Sequence, residues 1–165
     1  MNKSHEYSSL EKLEDLEAKK LLFLIPNLKK IKNSKKKIQF ISFFAEWCPN
    51  CEYEAIELKN YIAKYTSVID FSIVMQFCST AKSTMFLSKY KLTSKLIDPE
   101  CCIKDEELNK KTAFYKFRRT LNDTRKWGVP LHIIRVINKK NIEIFVIKGE
   151  SIKDEVIDFL DKNLP

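Results

Sequence analysis

Residues 38–65 read IQFISFFAEWCPNCEYEAIELKNYIAKY, two different patterns joined by a short turn. Ile38–Phe44 is an apolar and aromatic run, too short for a helix and the right length for a strand buried on both faces. From Glu52 to Tyr65 the apolar residues recur at helical spacing, with Ala55, Ile56, Leu58, Ile62 and Ala63 expected on the buried side. Between them lies Cys48-Pro49-Asn50-Cys51. A thiol at a helix start faces unsatisfied N–H groups and partial positive charge, which favour its thiolate. Cys48 is therefore expected to be the attacking sulfur. Cys51, one turn further in, is placed to close a disulfide and release a bound substrate. Pro49 suits the first helical turn, where its missing N–H costs little.

Working outward, Ile69–Phe77 reads as a second strand, so strand, helix and strand form a parallel crossover unit. Two alternating runs, 131–137 and 142–147, flank Asn138-Lys139-Lys140-Asn141 and form a hairpin. Gly149 follows, then a helix over 151–164 in which Ser151 and Asp154 approximate a capping box. Upstream, residues 8–20 read as an exposed helix capped by Ser8 or Ser9, with Leu10, Leu13 and Leu16 on one side. Leu21–Ile25 extends that helix or forms an edge strand, and Pro26 ends it. Residues 79–126 are charged and irregular, with helices expected near 80–90 and 105–122. The expected fold is α/β: a mixed sheet, part parallel crossover and part antiparallel hairpin, with helices flanking it. The expected organisation is an N-terminal helix and basic linker over 1–37 and one domain over 38–165, with an insertion at about 79–126.

Composition narrows the function. The chain has 165 residues, 44% hydrophobic and 32% charged, enough for a real core. Only Gly128 and Gly149 are glycines, and no phosphate-binding glycine loop is present. The net charge of +8 is concentrated in Lys29, Lys30, Lys32, Lys35, Lys36 and Lys37. That cluster could touch an anionic surface; the simpler reading is a solvated linker, and no aromatic residues interleave to suggest nucleic acid. Five cysteines give no even disulfide framework. Cys78, Cys101, Cys102, His5 and His132 supply no second CxxC or HxxxH element, so redox chemistry is favoured over a zinc site, and no metal or other cofactor is expected. His132 reads as a satisfied sheet residue rather than a base, and Cys78 as a small buried hydrophobe. No secretory signal or membrane-spanning run is legible, which points to the cytoplasm and, there, to reduction rather than oxidation.

The segment FISFFAEWCPNCEYEAIEL resembles the active-site stretch of the thioredoxin superfamily, and Trp127-Gly128-Val129-Pro130 resembles that family's second landmark, a turn with a cis proline. The resemblance covers roughly residues 38–77 and 127–163. It implies a thiol–disulfide oxidoreductase acting on protein disulfides, with Cys48 as nucleophile, Cys51 as resolving thiol and a partner reductase or oxidase. Trp47 would pack beside the pair. Val129 and Pro130 would face it across a groove that pairs with an extended substrate. The chain departs from thioredoxin proper at Ser42, where a buried carboxylate would assist the resolving thiol; proton transfer from Cys51 would use Glu46, water or nothing. The dipeptide Pro49-Asn50 also differs, in a place that tunes potential over roughly 150 mV. The insertion carries Cys101-Cys102, read either as auxiliary thiols or, more simply, as two free thiols, because a vicinal disulfide is strained. A binding module of the same fold, with residues 29–37 and the insertion as contact surfaces, is the alternative.

Overall fold

Strand β3, Ile38–Phe44, is buried at every residue because both faces of the sheet around it are covered. The structure, a computed structural model, describes residues 4–26, 28, 35–139 and 141–164. Pro49–Tyr65 forms helix α2, and Ile69–Met75 forms β4, parallel to β3 in register from Ile38 opposite Ile69 to Phe44 opposite Met75. On the other side of β3 runs β6, Leu131–Ile137, antiparallel, followed by β7, Ile142–Ile147. Thr80–Lys89 is α3, Lys95–Ile97 is β5, and Lys153–Asn163 is α6. Two short strands, β1 (Tyr7–Ser8) and β2 (Glu11–Lys12), precede α1, Leu16–Leu24. The main sheet has the order β2-β7-β6-β3-β4-β5, while β1 pairs with β8, Glu150–Ser151.

Alternation along β3 assigns the two layers. Phe40 approaches Tyr61 of α2, and Phe44 approaches Phe86 of α3, so the even residues point to that face. Phe145 meets Phe159 of α6 on the same face. Phe43 points the other way and stacks at 4.6 Å on Phe114 of α5, Ala113–Thr120, which packs with α1.

Several expected elements fall differently, each for a tertiary reason. Residues 8–20 are not one helix. Leu13 N–H donates to Ile144 O at 2.7 Å, Leu10 N–H donates to the Glu155 carboxylate, and Ser8 pairs with Ser151, so bonds to distant chain extend the segment. Asp15, not Ser8 or Ser9, caps α1, and Leu16 is exposed. On α2 the buried side is Cys51, Glu54, Ala55, Leu58, Tyr61, Ile62 and Tyr65, a stripe in phase with Cys51; Ile56 and Ala63 are exposed. The helix expected over 105–122 is broken. Glu106–Lys110 forms α4, and Thr112 then caps α5 while the Glu100 carboxylate accepts from Ala113 and Phe114 N–H. Ser151 does not cap α6, whose N-cap position is Ile152 and carries no side-chain cap, because the Ser151 hydroxyl is engaged elsewhere. Residues 79–126 thus contribute β5 to the sheet as well as three helices. Lys29, Lys30 and Lys32 of the lysine cluster lie outside the described residues, whereas Lys36 is tied to Thr66 O and Asp70. Among the described residues, no helix is long and apolar enough to cross a membrane.

Candidate active site

Cys48 caps α2 with its own sulfur: Cys51 N–H donates to Cys48 Sγ at 3.3 Å. The Cys51 thiol, with which Cys48 shares a hydrogen bond, is the main influence drawing Cys48 below the ordinary thiol value. Burial opposes it, the N–H groups of Cys51 and Asn50 assist, and the Glu6 carboxylate opposes again. Cys51 is fully buried, and burial first, then the Cys48 sulfur, push its thiol well above the ordinary value. The two cysteines therefore differ as an attacking and a protected thiol must. All five cysteines are free.

Across the turn, the Val129–Pro130 peptide is cis, and Cys48 Sγ donates to Val129 O at 3.5 Å. A groove of about 200 Å³ joins Cys48, Pro49 and Asn50 to Trp127, Gly128 and Val129. The 125–130 loop is held from beneath by residues that the sequence did not announce. Arg118, fully buried, donates to the carbonyls of Arg125 at 2.9 Å and Lys126 at 3.4 Å; Asn109 also donates to Lys126 O. Asp123 receives Arg125 in a two-pronged pair, 2.9 Å on each oxygen, and faces Arg118 at 3.5 Å. Arg125 then reaches Pro130 O at 3.0 Å. Gly128 has φ +70°, and a β-carbon there would run into the Arg118 side chain, so the turn needs glycine twice over.

Burial pushes the Asp123 carboxyl upward, but hydrogen bonds and charge from Arg125, with Arg118 behind, hold it below the ordinary carboxylate value. A depressed folded-state value contributes stability above the unfolded carboxyl's titration, near 3.9. That stability is lost as pH falls through the folded value. Asp123→Asn is expected to lower stability at pH 7 by about 3 kcal/mol, since it leaves the buried Arg118 guanidinium, and the partly exposed Arg125 beside it, short of a counter-charge. Denaturant melts at neutral pH and near pH 3 check this: the gap between variant and parent should shrink on acidification.

Trp47 closes one side of the groove. Its Nε1 donates to Phe77 O at 3.2 Å, and its ring meets Trp127 edge-on at 5.4 Å, with Lys104 Nζ 3.9 Å above it. Asn50 does not face the groove alone. It donates to Ser4 O and to Glu150 Oε2, both at 3.0 Å. Glu150, buried, also accepts from Glu6 N–H and pairs with His5, whose ring stacks between Tyr7 and Tyr53. The Glu6 side chain reaches Arg125 at 3.7 Å and lines the groove. Residues 4–8 thus form a strap along the active-site edge.

Where a carboxylate is missing from β3, the structure supplies one from α2. Ser42 Oγ lies 2.8 Å from His132 Nδ1, and His132 Nε2 lies 2.8 Å from Glu54 Oε1, all three buried. Glu54 also accepts Ser151 N–H at 3.0 Å and Ser151 O–H at 2.5 Å, and Tyr61 donates to Ser151 Oγ at 2.7 Å. A carboxylate can only accept, so His132 Nε2 donates to it. Glu46, the acid considered for Cys51, instead pairs with Lys82 at 3.6 Å in a neighbouring cleft. Glu54 was legible only as a helical residue three positions after Cys51, in phase with the buried stripe. Arg118 could have been flagged because it sits four residues after Phe114 and one after Phe117, on an apolar face. Cys101 is buried and Cys102 exposed, so the vicinal pair is split between two environments. Among the described residues, no group of three or more His, Cys, Asp or Glu side chains is arranged to hold a metal.

No protein-family model and no curated protein matches the sequence. Solved structures do match. A thioredoxin-related protein from Neisseria meningitidis aligns over 81% of this chain and 89% of its own, at 15% identity and a TM-score of 0.55. A thioredoxin-like protein from Aeropyrum pernix aligns over 79% and 80%, at 16% and 0.53. The chain has the thioredoxin-like fold. A secreted Mycobacterium tuberculosis disulfide oxidoreductase homologous to E. coli DsbE aligns over 76% and 81%, at 17% identity and 0.52. Within the thioredoxin-like fold the order of β3, CxxC, α2, cis proline and hairpin is the one that the sequence resemblance implied.

Proposed function

We propose that the chain is a thiol–disulfide oxidoreductase acting on protein disulfides, working as a reductant from residues 38–165, with residues 4–26 packed along that domain as an addition. The observation that carries this reading is the asymmetry of one pair: Cys48, drawn toward its thiolate at a helix start, and Cys51, buried and held protonated. Cys48 attacks a substrate disulfide, forming a mixed disulfide and releasing one substrate thiol. Cys51 then attacks Cys48, giving the Cys48–Cys51 disulfide and the second substrate thiol. A partner reductase restores the dithiol by the same exchange in reverse. Trp47 and Val129 line the approach, Pro130 lies buried behind Val129 in the cis peptide, and the Val129 backbone offers an edge to an extended segment.

Two observations support the reducing direction. An oxidant of this fold gains its power from an over-stabilised thiolate. Here burial, the Val129 carbonyl and the Glu6 carboxylate all work against the Cys48 anion. Five cysteines without a disulfide framework suit a reducing compartment, the cytoplasm. No bound cofactor is needed, because the electrons reside in the thiol pair.

Alkylation should show both thiols. Reactivity follows the thiolate, so Cys48 labelling is expected to rise with pH through a midpoint below the free-thiol value of about 8.5, leaving a reactive fraction at neutrality. Cys51 should stay unlabelled until the protein unfolds. Equilibration in glutathione buffers with thiol trapping tests the direction. A potential at or below about −250 mV agrees with a reductant, and one between about −120 and −180 mV reverses the direction. If Cys48 and Cys51 never pair at any poise, the binding-module reading replaces the enzyme.

A further inference from the structure

We propose that Cys78 and Cys102 form a second dithiol, separate from the Cys48–Cys51 pair, that closes to a disulfide on exchange with a small anionic disulfide of the glutathione class. Phe77 N–H donates to Cys101 O at 2.9 Å, which ties the 101–102 segment to the chain leaving β4. A disulfide needs the α-carbons of its two cysteines within ~4.4–6.8 Å, and this bond holds the two segments against each other where Phe77, at φ +59°, turns the chain out of β4. Cys78, buried, and Cys102, exposed, are the next residues on the two segments, and both line one cleft of about 470 Å³. Cys78 Sγ lies 3.3 Å from Ser83 Oγ, a contact that the disulfide would replace, whereas Cys101 is buried away from the cleft lining with its thiol on Ile103 O at 3.2 Å. A Cys101–Cys102 bond would also need a strained ring.

The cleft is suited to the oxidant. Its walls include Trp47 and Phe77, and Glu46, Lys82 and Lys104 also line it, so that beyond the Lys82–Glu46 pair the Lys104 ammonium remains for a carboxylate of a peptide-sized disulfide. Exchange then balances in two steps. The Cys102 thiolate attacks one sulfur of glutathione disulfide, so a Cys102–glutathione bond forms and one glutathione leaves as a thiolate that takes up a proton. Cys78, its proton passed to solvent, attacks the Cys102 sulfur. The Cys78–Cys102 bond forms and the second glutathione leaves. Two protein thiols are oxidised and one glutathione disulfide is reduced to two thiols. Because Phe77 O holds Trp47 Nε1, the bond would fasten the insertion to the support of the groove wall beside Cys48.

The test uses the full chain carrying Cys48→Ser and Cys51→Ser, so its result does not depend on the proposed enzyme activity. It is incubated with glutathione disulfide, acid-quenched, alkylated and mapped without reduction. The expected product is a peptide pair joined through Cys78 and Cys102. Adding Cys78→Ser should leave one glutathione on Cys102, and adding Cys102→Ser should abolish both products. Circular dichroism checks that each variant is folded. A stable glutathione on Cys102 despite an intact Cys78, a Cys101–Cys102 bond, or no oxidation under strongly oxidising glutathione buffers would each overturn the proposal.

Discussion

Cys51→Ala is expected to leave Cys48 covalently joined to its substrate, and Cys48→Ser to remove exchange turnover by about 10³-fold or more, as loss of a nucleophile does. The two effects differ because the two sulfurs do. Cys48 lies at the groove with Val129 and Trp127, where an incoming disulfide can line up with its sulfur. Cys51 lies behind it, fully buried, with its N–H directed at the Cys48 sulfur. Only an intramolecular attack can use a thiol so placed, and in the proposed function it expels whatever Cys48 has captured. The Cys51→Ala variant should therefore pull down a ladder of reductant-sensitive complexes, which the Cys48→Ser variant lacks. Equal trapping by both variants, or turnover surviving Cys48→Ser, would contradict the assigned roles.

Glu54→Ala is expected to cost about 3–5 kcal/mol, because it removes the acceptor from a buried polar network and strands its donors. His132 Nε2, Ser151 N–H and Ser151 O–H all point at this carboxylate, and Tyr61 leans on Ser151 behind it. Burial raises the Tyr61 phenol far above its ordinary titration, so its O–H remains a donor at every working pH. Against a total stability of roughly 5–15 kcal/mol, that is about a fifth of the whole at the least. The midpoint of thermal unfolding should fall by about 10 °C, from ~2–4 °C per kcal/mol. Glu54→Gln keeps one acceptor but sets an amide against Ser151 N–H, so about 1–2 kcal/mol is expected. Glu52→Gln, on the partly exposed side of α2, should stay within about 0.5 kcal/mol. Urea unfolding monitored by tryptophan fluorescence measures all three; a loss under 1 kcal/mol for Glu54→Ala would show that the network does not hold β3, β6 and α2 together.

What the sequence disclosed and what it hid divide along the range of the interactions. The run 38–44, the start of α2 at Pro49, the hairpin and α6 are encoded by near neighbours, through periodicity, a helix-start proline and turn residues. Two cysteines and a Val-Pro step nearly eighty residues on then marked both walls of the groove. The N-terminal strands were hidden because their partners, Ile144, Glu150 and Glu155, lie more than a hundred residues away while Leu10, Leu13 and Leu16 mimic a helix. The break at Thr112 depends on the Glu100 carboxylate, which local spacing does not reveal. Strand β5, three residues long, is specified mainly by the edge of β4 that receives it. Glu54 was not among the residues expected on the buried side of α2, because a carboxylate adds nothing to an apolar pattern even when it lies in phase with it. Its partner His132 was legible as a satisfied sheet histidine, though not what satisfied it.

The strap on Asn50 has a practical consequence. Since the dipeptide between the two active-site cysteines holds the carbonyl of Ser4, any polypeptide joined ahead of Ser4 sets out from the mouth of the groove. A tether of that kind replaces the bulk concentration of its cargo by a local one of the order of millimolar for a short flexible linker. An affinity handle fused there competes with every substrate, while the same handle fused after α6 starts from the far end of the chain. A cysteine engineered into such a leader becomes an intramolecular reporter of Cys48, reacting at a rate that dilution does not change.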